Sequence, residues 1–149
     1  VVRVLDVKAA EKGIALELHV HGQVPRLVHS DAGRIRQIVT NLVGNAIKFT
    51  EQGGVEVHVD VDAADDRHAL HIAIVDTGVG MSQGALEHIF DPFVQADSSV
   101  TRRFGGTGLG LSISRKFARA LSSVTTASPG ATASSRAIKV APGIRAASA

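Results

Sequence analysis

The sequence predicts an α/β domain, and three observations carry that prediction. Residues 14–20, 55–61 and 70–75 alternate or concentrate apolar side chains as half-buried strands do. Residues 35–47 instead repeat apolar side chains at the helical period. Glycine, proline and acidic turns separate the segments, so helices and strands interleave along the chain rather than fall into blocks.

The elements follow in order. Residues 1–12 read as a helix that opens on apolar residues without a start signal and stops at Gly13. Ile14, Leu16, Leu18 and Val20 then form one face of a strand, with Glu17 and His19 on the other. Pro25 breaks the chain, and Leu27-Val28 reads as a short strand. Ser30-Asp31 is a helix start signal. Behind it Ile35, Ile38, Val39, Leu42, Val43, Ala46 and Ile47 fall on a single stripe, the strongest helical signal in the chain. Gly53-Gly54 turns into a strand with Val55, Val57, Val59 and Val61 on one face, and Ala63–His68 is a polar connection. Leu70, Ile72, Ile74 and Val75 form a third strand ending at Asp76. A glycine-rich turn, Asp76–Met81, precedes a short helix over Ser82–Phe90. Asp91–Thr107 is a long connection of the kind that covers sites. Thr107–Leu121 reads as a last helix with Leu111, Ile113, Phe117 and Leu121 inward.

Composition narrows the function classes. With 44% hydrophobic and 20% charged residues the 149-residue chain can build a core. No apolar run approaches the roughly 20 residues of a membrane span, and no leader-like segment opens the chain. The absence of cysteine excludes disulfides, thiolate metal sites and cysteine nucleophiles. The net charge of +2 is uneven: residues 1–121 carry 13 Lys and Arg against 14 Asp and Glu. Residues 122–149 carry Arg136, Lys139 and Arg145 and no acid. The basic balance therefore comes partly from a tail, and with no Trp or Tyr there is little to stack nucleobases, so nucleic acid is not an expected partner. In that tail Ser, Ala, Thr, Gly and Pro fill 21 of 28 positions, a low-complexity composition in which only Val124 and Ile138–Val140 resemble strand material.

Three groups of residues carry chemistry. On the strong helix, Asn41 and Asn45 are one turn apart and Lys48 nearly one turn further on, off the apolar stripe. Each Asn costs about 0.7 kcal/mol relative to Ala in a helix interior. An amide oxygen is a neutral ligand for Mg²⁺, which completes its shell with phosphate and water. A Lys supplies a positive point for phosphate. The same residues read equally as a solvated polar face. Asp76-Thr77-Gly78-Val79-Gly80 places a carboxylate at a strand end, where it can accept from an exocyclic amine. Gly78 and Gly80 there can adopt positive φ and admit a ring. A tight turn capped by Asp is the plain alternative. Gly105-Gly106-Thr107-Gly108-Leu109-Gly110 runs into a helix, where free N–H groups favour an anion. Its spacing is neither that of a P-loop nor that of a dinucleotide-binding turn. Arg102 and Arg103 lie just upstream, within reach of a terminal phosphate.

Their order along the chain is more telling than any one of them. Asn41-x-x-x-Asn45-x-x-Lys48-Phe49-Thr50, then Asp76-x-Gly78-x-Gly80-Met81, then Phe90-Asp91-Pro92-Phe93, then Gly105–Leu111 resembles the catalytic and ATP-binding domain of bacterial sensor histidine kinases, most closely the hybrid type. The resemblance covers residues 1 to about 121 and extends to the wider superfamily of gyrase, heat-shock chaperone and mismatch-repair ATPases. It implies a two-layer sandwich of a mixed β-sheet and helices, with ATP held between helices and a lid. By resemblance Asn45 is the Mg²⁺ ligand, with Asn41 and Lys48 near the phosphates and Phe49 beside them. Asp76 takes the adenine amine, Gly78 and Gly80 shape the base pocket, and Met81 is among the ATP-binding residues. Residues 90–106 form the lid with Phe93 as its latch. Gly106, Gly108 and Gly110 cradle the phosphates, and Arg102, Arg103, Gly105, Thr107 and Leu109 are among the ATP-binding residues. Related ATPases carry a Glu where this chain has Asn41, and an amide cannot take a proton at neutral pH. The pocket therefore reads as one built for phosphoryl transfer rather than hydrolysis.

The resemblance also says what to expect outside the pocket. The family's phosphoacceptor is a His followed by an acid on a separate dimerisation domain. None of the seven histidines here has that context, and His68 and His71 read as a solvated pair. The expectation is a two-component signalling fragment that binds ATP and Mg²⁺ but does not phosphorylate itself. Its partners are a dimerisation domain and, through it, a response-regulator receiver domain. It lies in the cytoplasm, although the parent protein can be anchored in the inner membrane. A nucleotide-binding module that transfers nothing is the alternative reading. The family's last two strands normally follow the final helix, yet their pattern vanishes after Leu121. Residues 1–121 are thus expected to be a C-terminally incomplete domain and 122–149 a divergent tail, as a shifted reading frame or a truncated gene would give. Two missing strands would remove buried apolar side chains worth roughly 1.5–3 kcal/mol each.

Overall fold

The computed structural model describes residues 1–22, 30–64, 67–93, 108–122 and 138–143. Helix α1, Val2–Lys12, ends where Gly13 enters the left-handed region at φ 73° and its N–H reaches back to Ala10 O. It buries only Leu5 and Ala9. Its last side chain matters more, because Lys12 Nζ donates to Ile47 O and Lys48 O, each at 2.7 Å. An ammonium thus satisfies the open carbonyls at the end of helix α2, Ala32–Phe49.

Helix α2 begins as its sequence implies. Asp31 caps it, its carboxylate accepting from Arg34 N at 3.0 Å. Ile38, Val39, Leu42, Val43, Ala46 and Ile47 are buried and form the centre of the core.

The sheet has the order β1-β2-β3-β4, with β1 Ala15–Val20, β2 Gly54–Ala64, β3 Arg67–Asp76 and β4 Ile138–Gly143. Strands β1 and β2 are parallel, β2 and β3 form an antiparallel hairpin, and β3 and β4 are parallel, so the sheet is mixed. The strand β4 comes from the low-complexity tail and pairs Ile138–Gly143 with Leu70–Val75. Its Pro142 sits on an edge strand, where a missing N–H is tolerated. The β2–β3 hairpin extends beyond the alternating segments read from the sequence, because the polar connection pairs as well, down to Ala64 with Arg67. Val55, Val57, Ile72 and Ile74 point into the core. The helices cover that face, which makes the two-layer arrangement.

The opposite face of the sheet is polar. His58 lies between His19 and His21, with ring centroids 4.9 and 5.2 Å away. One His58 nitrogen meets His21 Nε2 at 2.9 Å and the other meets Glu56 Oε2 at 2.9 Å.

Four readings of the sequence need correction. Leu18 and Val20 lie on the apolar face of β1 yet are 50% and 57% exposed, because β1 is at the edge of the sheet among the described strands and α1 covers only its start. The short third helix, α3, is Gln83–His88, capped by Ser82 rather than containing it. The last described helix, α4, is Gly110–Ser122 and so begins three residues later than Thr107. Within it Ile113 lines a cleft and is not part of the core, whereas Leu111, Phe117, Ala118 and Leu121 pack inward. Leu27, Val28 and Val124 lie outside the described residues. Among the described residues no helix is long and apolar enough to cross a membrane.

Candidate functional site

Helix α2 has a second stripe, offset from the apolar one. Gly33, Arg36, Gln37, Thr40, Asn41, Gly44 and Asn45 share a face at the helical period, and with Gly110, Ile113 and Ser114 of α4 they line a cleft of about 540 Å³. Among these lining residues there is no carboxylate, and Arg36 is the one charged group. The cleft is thus suited to an anion rather than to a free cation.

Asn41 is committed to the cleft wall. Its amide Nδ2 donates to Ser114 Oγ at 2.8 Å, joining α2 to α4. Gly110 is glycine for the same reason, since a Cβ there would collide with the Asn41 amide. Asn45, one turn on, is half-buried on the same wall. Lys48 departs from the expected cluster: its ammonium lies over the Phe49 ring, 4.8 Å from the centroid, and it is not among the residues lining the cleft.

The Asp76 turn sits against the C-terminal end of α2. Asp76 closes β3, and its carboxylate accepts from Gly78 N at 2.9 Å, which folds the turn on itself. Val79 N donates to Phe49 O at 3.3 Å. Gly78 does not have positive φ, contrary to the sequence reading. It is glycine because a Cβ would lie 2.6 Å from Phe49 O and 2.8 Å from the Asp76 carboxylate. Gly80, at φ 67°, does need the left-handed conformation. Met81 follows in a half-buried position. The sequence reading missed Thr77, whose hydroxyl donates to Gln52 O at 2.9 Å and accepts from Gly54 N at 3.1 Å. It ties this turn to the start of β2. The packed glycine beside it, Gly53 at φ 95°, was the available signal.

Gly108 also has positive φ, at 68°, and leads through Leu109 into α4. The Leu109 carbonyl accepts from Ile113 N and Ser112 Oγ, at 3.0 and 2.9 Å. Phe93 is 75% exposed and, at φ 65°, the one non-glycine residue with positive φ among those described. The segment before it is held to α4, with Arg115 Nη2 3.7 Å from Asp91 Oδ1 and its guanidinium 5.5 Å from the Phe90 ring centroid. Arg102, Arg103, Gly105, Gly106 and Thr107 lie outside the described residues.

The structure therefore brings Asn41, Asn45 and Gly110 onto one cleft and sets Asp76, Gly78 and Phe49 at the end of the same helix. Among the described residues no group of three or more His, Asp or Glu side chains could hold a metal ion. The donor set offered by the cleft is neutral amide oxygen. That fits Mg²⁺, which takes one or two protein oxygens and keeps phosphate and water for the rest.

Comparisons with known proteins identify the family. A family profile described as histidine kinase-, DNA gyrase B- and HSP90-like ATPase matches residues 30–140. Hybrid signal transduction histidine kinase A of Dictyostelium discoideum is 43% identical over 124 residues, covering 78% of this chain and 6% of that protein. The signal transduction histidine-protein kinase BarA of Escherichia coli strain K12 is 43% identical over 118 residues, covering 78% of this chain and 13% of BarA. Among solved structures, full-length ShkA in complex with AMPPNP superposes with a TM-score of 0.65 at 37% identity, covering 80% of this chain and 23% of ShkA. The nucleotide-free catalytic domain of histidine kinase ThkA gives a TM-score of 0.59 at 25% identity, covering 80% of this chain and 72% of that domain. The chain spans only 6–13% of the length of these curated relatives. It belongs to the histidine kinase-, DNA gyrase B- and HSP90-like ATPase family, and within it to the ATP-binding catalytic domains of sensor histidine kinases.

Proposed function

We propose that this chain binds Mg-ATP between α2 and α4 and presents the terminal phosphoryl group to a histidine on a separate dimerisation domain. The observation that supports this best is the run of site residues along a single helix, from Phe49 and the Asp76 turn at one end to Asn45, Asn41 and Gly110 along the cleft. Asp76 accepts from the adenine amine, and its bond from Gly78 N fixes the carboxylate for that task. Gly78 and Gly80 leave the backbone bare beside the base. Asn45 is the Mg²⁺ ligand, and the ion, when bound, neutralises charge on the phosphates. Asn41 braces the wall through Ser114 and offers no base to activate water. By the family resemblance Gly106, Gly108 and Gly110 are assigned to the phosphates, Arg102 and Arg103 to the terminal phosphate, and Phe93 to the lid.

In the transfer step an imidazole nitrogen of the acceptor attacks the γ-phosphorus. The bond to the bridging oxygen breaks, ADP leaves, and the imidazole proton passes to a base on the acceptor's own domain. This chain supplies neither nucleophile nor base, so its partners are that dimerisation domain and, downstream, a receiver domain. We place the segment in the cytoplasm, where ATP is available.

The test is the Mg²⁺-dependent affinity for AMPPNP of the wild type and of Asp76→Ala. We expect the substitution to weaken binding at least tenfold, the size of a lost hydrogen bond to a charged group, about 1.5–3 kcal/mol. Equal affinities would remove the pocket assignment. Phosphate transfer to a family dimerisation domain supplied in trans separates a kinase domain from a module that only binds.

A further inference from the structure

We infer that Arg36, with Gln37 beside it, is a ligand of the terminal phosphate of the bound nucleotide. This rests on the reading that the cleft holds a nucleotide with its base at Asp76. Given that end point, the direction of the ligand follows from the helix. The Asp76 turn packs on Phe49, the last residue of α2. Moving toward the helix N-terminus, Asn45 lies about one turn away, Asn41 about two, and Gln37 about three, or about 18 Å from Phe49. A triphosphate that leaves the base near Phe49 and passes Asn45 reaches its last phosphate between Asn41 and Arg36.

The chemistry of that end is what a terminal phosphate requires. The cleft does not stop at Asn41 but continues over Thr40, Gln37 and Arg36. Arg36 is the one charged group among its described lining residues. A guanidinium offers several N–H donors in a plane, matched to phosphate oxygens. The neighbouring cations are placed differently. Arg34, two residues away, is paired with Asp31 at 3.1 Å and lies over Phe117 at 5.6 Å. Lys48 lies over Phe49, at the base end. Asn41, about one turn on from Gln37, is neutral and already donates to Ser114.

The experiment compares AMPPNP with ADP, each with Mg²⁺, on the full chain. Wild type should bind AMPPNP more tightly than ADP. Arg36→Ala, at an exposed position, should weaken AMPPNP by about tenfold to a hundredfold and leave ADP within about twofold. Arg36→Lys should restore part of the difference, and Gln37→Ala should reproduce a smaller share of the loss. An Arg36→Ala protein that keeps its preference for AMPPNP, or that loses both nucleotides equally, overturns the inference. Wild type that binds neither nucleotide overturns the nucleotide reading itself. Binding that is sensitive to Asp76→Ala but not to Arg36→Ala overturns the Arg36 assignment alone.

Discussion

The two faces of α2 have the same length, the same backbone and opposite physics. One face buries Ile38, Val39, Leu42, Val43, Ala46 and Ile47 against the sheet, and its side chains are chosen for volume. The other carries Gly33, Arg36, Gln37, Thr40, Asn41, Gly44 and Asn45, and its side chains are chosen for donors, acceptors and clearance. The comparison teaches that a single helix can hold the fold and the site at once, provided the period keeps the two stripes apart. Substitutions on the first face should then register in stability, and those on the second in ligand affinity.

The largest expected effect tests the apolar face. Ile38 is 1% exposed, and Ile38→Ala should cost about 2–5 kcal/mol in urea unfolding. That approaches the whole margin of a small domain, about 5–15 kcal/mol. A cost below about 1 kcal/mol would mean that this face is not the core. Gly110→Ala tests where the faces meet a second helix. The added methyl lands on the Asn41 amide, so α4 must move away, at about 1–3 kcal/mol. Because that contact also shapes the cleft, AMPPNP affinity should fall with the unfolding midpoint. A fall in one without the other would uncouple the polar face from the packing. The smallest effect comes from a polar atom on the wrong side. Thr50 follows the last turn of α2, is fully buried, and its Oγ1 has no hydrogen-bond partner among the described residues. Thr50→Val removes an unsatisfied hydroxyl and should raise stability by about 1 kcal/mol, read as a higher melting temperature. A loss of stability together with a loss of nucleotide affinity would instead mark the hydroxyl as a site group.

The helix α2 was almost wholly legible because each of its signals is local. Asp31 caps it, the apolar stripe sets its period, and the Asn pair stands out against its cost. The Asp76 turn was legible as a turn, but the reason for Gly78 was not. The Phe49 carbonyl that crowds Gly78 is far away in sequence and arrives only with the packing. Strand β1 misled for a similar reason. Its alternation is clean, yet Leu18 and Val20 are half exposed, since alternation reports which face a side chain takes and not whether anything covers that face. In the tail the low-complexity composition masks most of the signal, yet the apolar run read as strand material, Ile138–Val140, does pair with β3.

Sequence alone therefore determined the main helices and strands, though not all their bounds, and the order of the motifs and the family they spell. Those depend on periodicity and spacing, which are properties of a single chain segment. Tertiary structure alone decided which polar residues share a cleft, why Gly110 and Gly78 have no side chain, and that Arg36 stands at the far end of the stripe from Asp76. Those depend on how closely two helices and a turn approach each other, and that distance is set by packing among residues remote along the chain.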